Sequence, residues 1–143
     1  MIFEADEWGM ELLAIRTDIF VDKILDVVFR HAAERTLVFS SFNPQICIAL
    51  STKQQTFPVF FLSKTSAPRG ELRASSMQQA VHFAKSWSLP GIVMECTPFV
   101  KCPRLVGYVK SAGLNCMSFG SLNNDRASAK VSTNNEVSTG VRD

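Results

Sequence analysis

A chain of 143 residues has the length of one domain, and its 46% hydrophobic and 20% charged residues place it among globular proteins. A net charge of +2 is too small to imply a nucleic acid or an anionic membrane as partner. No apolar stretch approaches the roughly 18 residues of a membrane-spanning helix. The acidic start, Met1 to Trp8, has no signal-peptide character, so the expected location is cytoplasmic.

Met1 to Arg16 carries charged patches and no clear period. Asp18 suits the cap of a helix that runs to about Ala32, with Val21, Ile24, Leu25, Val28 and Ala32 on one stripe and Phe20 and Val27 widening it. Thr36 to Phe42 is a short apolar run, read as a buried strand. Asn43 and Pro44 then start a helix as N-cap and N1, with Ile46, Cys47, Ala49 and Leu50 facing inward as far as about Gln54. A second strand is expected over Phe57 to Ser63, where Pro58 near the start is tolerable. Lys64 to Gly70 reads as a loop. Ser76 with Gln79 forms a capping box, and Met77, Ala80, Val81, Ala84 and Trp87 mark the stripe of the next helix. Gly91 to Phe99 is the third strand with its exit loop. Pro103 suits the first turn of a helix with Leu105, Val106, Val109 and Ala112 on its inner side, and Gly113 suits its C′ position. Leu114 to Gly120 is the fourth strand, and Leu122 to Asp125 reads as a loop. The stretch 128–143 is rich in Ser, Thr, Asn and charge and is expected to be disordered.

Strands alternating with helices predict βα units and a parallel sheet, either a barrel or a doubly wound sheet. About four units are present, which reads as part of a larger fold.

The four cysteines, Cys47, Cys96, Cys102 and Cys116, have no zinc-site spacing and read as reduced, mostly buried thiols. His31 and His82 fall on predicted helices, away from strand ends, where βα folds place their chemistry. Glu95 lies inside the third strand and is able to point into a barrel; an ion pair or an exposed position is the plainer reading. Asp6, Glu7 and Glu11 precede any strand and are not read as a metal site. The strand ends are more suggestive. Ser40, Ser41 and Asn43 follow the first, Ser63 and Lys64 the second, and Ser118, Ser121, Asn123 and Asn124 the fourth. With Phe42 and Phe119 they would line a pocket mouth suited to a polyol or a phosphate-bearing ligand.

The segments VFSSFNPQICIALSTKQQTFPVFFL, RASSMQQAVHFAKSW, GIVMECTPFVKCPRLVGYVKSAGL and SFGSLNND resemble, in order and spacing, the glycerophosphodiester phosphodiesterase domain. The resemblance is to the fungal form found at the C-terminus of large proteins that also carry SPX and ankyrin-repeat regions, and it covers Val21 to Asp125. It implies a TIM (β/α)8 barrel, with this chain supplying approximately strands four to seven. The activity it implies is hydrolysis of glycerophosphodiesters, such as glycerophosphocholine, to an alcohol and glycerol 3-phosphate.

Such domains use two histidines as acid and base and carboxylates that hold a divalent metal, Mg or Ca. The HRG and E-x-K motifs that carry part of this set are missing here, and the E-x-K strand would end just before Met1. Residues 1–127 are therefore expected to be the C-terminal half of such a barrel, without catalytic residues or a metal of its own, and 128–143 a divergent tail. The resemblance leaves a substrate-binding set: Ser41 and Phe42 at the strand-end Ser-Phe, and Phe119 and Asn123 near the strand-seven motif, with Phe where the family has Trp. A non-catalytic interaction module in phosphate signalling and a non-functional gene fragment stand as alternatives.

Overall fold

A computed structural model describes residues 7–64, 76–121 and 138–139, with side chains described for 16–64 and 76–121. Helix α1 (Glu7–His31) leads to strand β1 (Phe39–Ser41), helix α2 (Pro44–Lys53), strand β2 (Val59–Ser63), helix α3 (Met77–Ser86) and strand β3 (Gly91–Glu95). Helices α4 (Thr97–Lys101) and α5 (Arg104–Ser111), strand β4 (Asn115–Phe119) and strand β5 (Ser138–Thr139) follow.

The sheet is five-stranded, parallel throughout, and ordered β1-β2-β3-β4-β5. That order decides between the two architectures left open by the sequence. A doubly wound sheet reverses its strand order at a switch point, whereas this one never reverses, as in a barrel that grows one strand at a time. The fold is α/β, an arc of a TIM barrel.

One face of the sheet packs on the helices. Val59 and Phe61 of β2, Ile92 and Met94 of β3 and Cys116 of β4 join Leu50, Ala80, Phe83, Ala84, Val106 and Val109 in one core. Phe61 lies 4.7 Å, ring centre to ring centre, from Phe83 of α3. It is fully buried, which is worth roughly 1.5–3 kcal/mol against leaving it exposed. Strand residues alternate between faces, so Phe60, Leu62, Val93, Glu95, Met117 and Phe119 share the opposite, inner face.

Local signals set the boundaries. Asn43 Oδ1 accepts from the N–H groups of Gln45 at 2.9 Å and Ile46 at 3.4 Å and so caps α2. Ser76 Oγ accepts from Gln79 N at 3.2 Å and caps α3. β1 and β2 are shorter than the apolar runs that contain them. Their pairing begins where Phe39 N donates to Pro58 O, and Pro58 itself has no N–H to give.

Three sequence expectations change. Helix α1 starts at Glu7, inside the stretch that has no period. Phe20 and Val27 do not widen its buried stripe but stand exposed, as does Trp87, which ends α3 instead of joining its inner side. The third strand stops at Glu95 because Thr97 and Pro98 open the short helix α4. Of 128–143, only Ser138 and Thr139 lie among the described residues, and they extend the sheet beside β4.

Candidate substrate-binding face

The C-terminal strand ends, where barrel enzymes keep their sites, bring four side chains to the inner face: Phe42, Lys64, Glu95 and Phe119. Phe42 and Phe119 meet edge to face, 5.9 Å between centres and 82° between planes. They come from β1 and β4, three strand spacings apart. In a flat sheet that separation is about 14 Å, and side chains standing perpendicular to it do not close the gap. The rings meet because the sheet curls, and this face is the concave inside of the arc.

Lys64 Nζ sits 5.2 Å from the centre of the Phe42 ring, a cation–π distance. Ser63 pairs with Met94, and Glu95 pairs with Phe119, so Lys64, Glu95 and Phe119 leave three adjacent strands at one level. Glu95 is half-buried, and its Oε1 accepts from Thr97 Oγ1 at 3.2 Å, which orients the carboxylate. Cys96 N donates to Phe119 O at 2.8 Å, so the backbone at the two strand ends is also tied. Gly120 completes the rim. With φ at +123°, it has no room for a side chain, since an added Cβ would stand 2.9 Å from Cys96 Sγ.

The residues singled out by sequence separate into groups. Phe42 and Phe119 come together. Ser41 does not join them: its Oγ accepts from Asn43 N at 3.0 Å, and its carbonyl accepts from Cys47 Sγ at 3.5 Å, so it serves the start of α2. Ser63 and Ser118 are fully buried on the helix-packed face, away from the mouth. Asn123 and Asn124 lie outside the described residues. His31 and His82 are exposed on α1 and α3. Glu95, for which the sequence favours an ion pair or an exposed position, stands half-buried on the inner face. The signal was present, because Gly91, Val93 and Glu95 alternate with the core residues Ile92 and Met94.

Three of the four thiols are buried and Cys102 is exposed; none forms a disulfide. Burial pushes Cys47 and Cys116 up to about 12, so both stay neutral. Among the described residues no three His, Cys, Asp or Glu side chains stand close enough to hold a metal ion. No helix there is long and apolar enough to cross a membrane. A cleft of about 250 Å³ lined by Gln54, Phe57, Pro58, Trp87 and Pro90 opens at the other end of the sheet, by the starts of β2 and β3.

The sequence pattern of the glycerophosphoryl diester phosphodiesterase family matches residues 5–137. The chain is 41% identical over 142 residues to the glycerophosphocholine phosphodiesterase GDE1 of Eremothecium gossypii, covering 99% of this chain and 10% of that protein. It is 45% identical over 126 residues to the glycerophosphocholine phosphodiesterase gde1 of Schizosaccharomyces pombe, covering 87% of this chain and 11% of that one. It therefore spans about a tenth of the length of these fungal relatives. A crystal structure from Silicibacter pomeroyi DSS-3, of a protein assigned as a glycerophosphoryl diester phosphodiesterase, superposes with a TM-score of 0.67 at 18% identity, over 87% of this chain and 40% of that one. That likeness concerns the fold. The match over 5–137 carries the rest: this chain belongs to the glycerophosphoryl diester phosphodiesterase family.

Proposed function

We propose that this chain is the substrate side of a glycerophosphodiester phosphodiesterase, an arc in which β1 to β4 stand for barrel strands four to seven, and that the groups performing proton transfer lie outside it. The observation that carries this reading is the inner-face row of Lys64, Glu95 and Phe119, with Phe42 against Phe119, at the C-terminal end of a parallel arc. The curled sheet gives the row a concave wall. Lys64 supplies a charge for a phosphodiester anion, and the rings supply an apolar wall for the carbon skeleton. The activity for which the fungal relatives are named supports glycerophosphocholine as the substrate. Their greater length supports a setting in a larger protein, for which the sequence resemblance alone suggests SPX and ankyrin regions and a cytoplasmic location.

Hydrolysis breaks a P–O bond. It needs a base to take a proton from the attacking water and an acid to give one to the departing alkoxide. His31 and His82, exposed on α1 and α3, are on the wrong side of the sheet for either task. The divalent cation that the family uses supplies charge stabilisation at phosphorus when bound. The described residues do not fit it, since Glu95 is the one carboxylate on the inner-face row, and no step here runs through that ion.

The test uses the purified 143-residue chain. Glycerophosphocholine hydrolysis is assayed with Mg²⁺ or Ca²⁺, with circular dichroism on the same sample, and glycerol 3-phosphate is titrated against the ¹⁵N-labelled chain. A folded, inactive chain whose inner-face amides shift saturably with glycerol 3-phosphate is the expected result. Metal-dependent turnover overturns the assignment of proton transfer to residues outside the arc. No shift on the inner face overturns the substrate-side reading.

A further inference from the structure

We infer that the cleft at the starts of β2 and β3 is a second binding site, for one neutral sugar ring, with Trp87 as its stacking face and Ser51, Gln54 and Ser88 as its polar contacts. The cleft lies at the opposite end of the strands from the inner-face rim, so what fills it is independent of what the rim binds.

Trp87 stands at the lip, 44% exposed, just beyond the last turn of α3. Its backbone N–H donates to Phe83 O at 3.1 Å and anchors the residue, while its indole N–H meets no acceptor among the described residues. An anchored indole therefore offers solvent a flat apolar face with a free donor at its edge. Gln54, only 8% exposed, clamps one residue with its amide: Oε1 accepts from Phe57 N and Nε2 donates to Phe57 O, each at 2.8 Å. Those two bonds fix which way the amide points and leave one N–H and one lone pair on a rigid group in the cleft wall. Ser51 Oγ donates to Ile48 O at 3.0 Å and keeps its lone pairs. Ser88, also in the wall, is held at φ +52°, which a glycine would adopt at no steric cost. The strain is kept at a position where the hydroxyl is what a glycine lacks. Phe57 is wedged 5.6 Å from Phe29 and 6.1 Å from Phe39, ring centre to ring centre, so the wall is set before a ligand arrives.

That lining selects its occupant. None of the residues around the cleft is ionisable, so a charged ligand would lose water there and gain no partner. A volume of about 250 Å³ falls below the roughly 300–1,000 Å³ of drug-sized sites and suits a single ring. The indole, Phe57, Pro58 and Pro90 supply apolar surface, and the amide and hydroxyls supply donors and acceptors in the same space. A pyranose is divided in the same way: its C–H face packs on an aromatic ring, and the hydroxyls around its edge both donate and accept. A proline-rich peptide needs a groove lined with aromatic rings, and a wholly apolar ligand would leave the Gln54 amide without partners for its remaining bonds.

The probes are the methyl glucoside, galactoside and mannoside, each titrated into the ¹⁵N-labelled 143-residue chain. The chain has two tryptophans, so Trp8 gives an internal control in the indole N–H region. At least one pyranoside is expected to shift the Trp87 indole and the amides of Gln55, Ser88 and Leu89 saturably and to leave the Trp8 indole unmoved. Cyclohexylmethanol, a ring of similar size without the ring hydroxyls, is expected to bind about tenfold more weakly. Trp87→Ala is expected to abolish the amide shifts. Ser88→Gly is expected to weaken binding about fivefold, the loss of one hydrogen bond, although it relieves strain and stabilises the fold. Circular dichroism checks both variants, and Ser88→Gly carries the test if Trp87→Ala unfolds. No shift with any of the pyranosides, equal binding of cyclohexylmethanol, or binding unchanged in Ser88→Gly overturns the site. The glycerol 3-phosphate titration reads the other end of the sheet, so the substrate-side reading stands or falls separately.

Discussion

The edge of one phenyl ring meets the face of the other where Phe42 and Phe119 close the mouth of the arc, 5.9 Å apart at 82°, although β1 and β4 are not neighbours in the sheet. The contact is a direct readout of curvature. Flattening the sheet separates the rings before it breaks any strand pairing. A double-mutant cycle with Phe42→Leu and Phe119→Leu, followed by urea denaturation, is expected to give a coupling of about 0.5–1.5 kcal/mol, the range for such ring pairs. Additive effects would mean that the rings do not meet in solution and that the arc is flatter.

The ends of α3 and α5 share one design and differ in one residue. After α3, Leu89 N donates to Ala84 O at 2.8 Å and Ser88 N to Lys85 O at 3.1 Å. After α5, Leu114 N donates to Val109 O at 3.4 Å and Gly113 N to Lys110 O at 2.8 Å. Both are Schellman closures whose C′ residue must be left-handed. Gly113 meets that need at φ +80°, whereas Ser88 is held at φ +52° against its own preference. Ser88→Gly is expected to raise stability by about 0.5–1 kcal/mol, and Gly113→Ala, with open space around its added Cβ, to lower it by about 1 kcal/mol. Thermal unfolding of both variants checks the pair, and a loss on Ser88→Gly would contradict it.

The same pair shows what the sequence made legible. Gly113 announces its cap, so the end of α5 is readable, while Ser88 adopts the same geometry without the glycine that signals it. The α1 start at Glu7 was illegible for another reason. Met10, Glu11, Leu12, Leu13 and Ala14 are good helix formers, but they lack the spacing that periodicity detects, and propensity decides there. Thr97-Pro98 is a helix start that the sequence presents equally as a strand exit, because a Pro after an apolar run marks either. At the site, Phe42 and Phe119 were legible as strand-end residues. The placement of Glu95 depends on which face of β3 it takes, and that follows only from register with β2 and β4.

Gly120 and Gly91 hold the two ends of the β3–β4 pair close. An added Cβ at Gly91 would lie 2.3 Å from Asn115 O and 2.6 Å from the Phe60 ring, a clash with the backbone of the neighbouring strand. At Gly120 the added atom meets Cys96 Sγ at 2.9 Å, and φ +123° is unfavourable to any L side chain. Gly91→Ala is expected to cost about 2–3 kcal/mol through forced separation of the strands. Gly120→Ala is expected to cost about 1–3 kcal/mol through backbone strain. Pairing Gly120→Ala with Cys96→Ala removes the contact and leaves the strain, so the double variant should recover only part of the loss. Full recovery in denaturant melts would assign the cost to Cys96 alone.

The buried thiols give the fold an alkaline limit. Burial raises Cys47 and Cys116 from 9.0 to about 12, a rise partly offset at Cys47 by its hydrogen bond to Ser41 and at Cys116 by the charge of Lys110. Below pH 9 both thiols are protonated in the folded and unfolded chain and the linkage term is zero. Between about pH 9 and 12 the unfolded chain loses these protons and the folded chain keeps them, so unfolding releases protons and stability falls as pH rises. Each thiol contributes at most about 1.4 kcal/mol per pH unit to that fall. Urea midpoints measured between pH 8 and 11 should therefore drop above pH 9, and Cys47→Ala with Cys116→Ala, though less stable at pH 8 through lost packing, should show a shallower drop. Native-state alkylation at pH 8 gives the independent check. Exposed Cys102 should react first, with Cys47 and Cys116 protected until the chain opens, and rapid labelling of Cys47 in the folded protein would refute its burial.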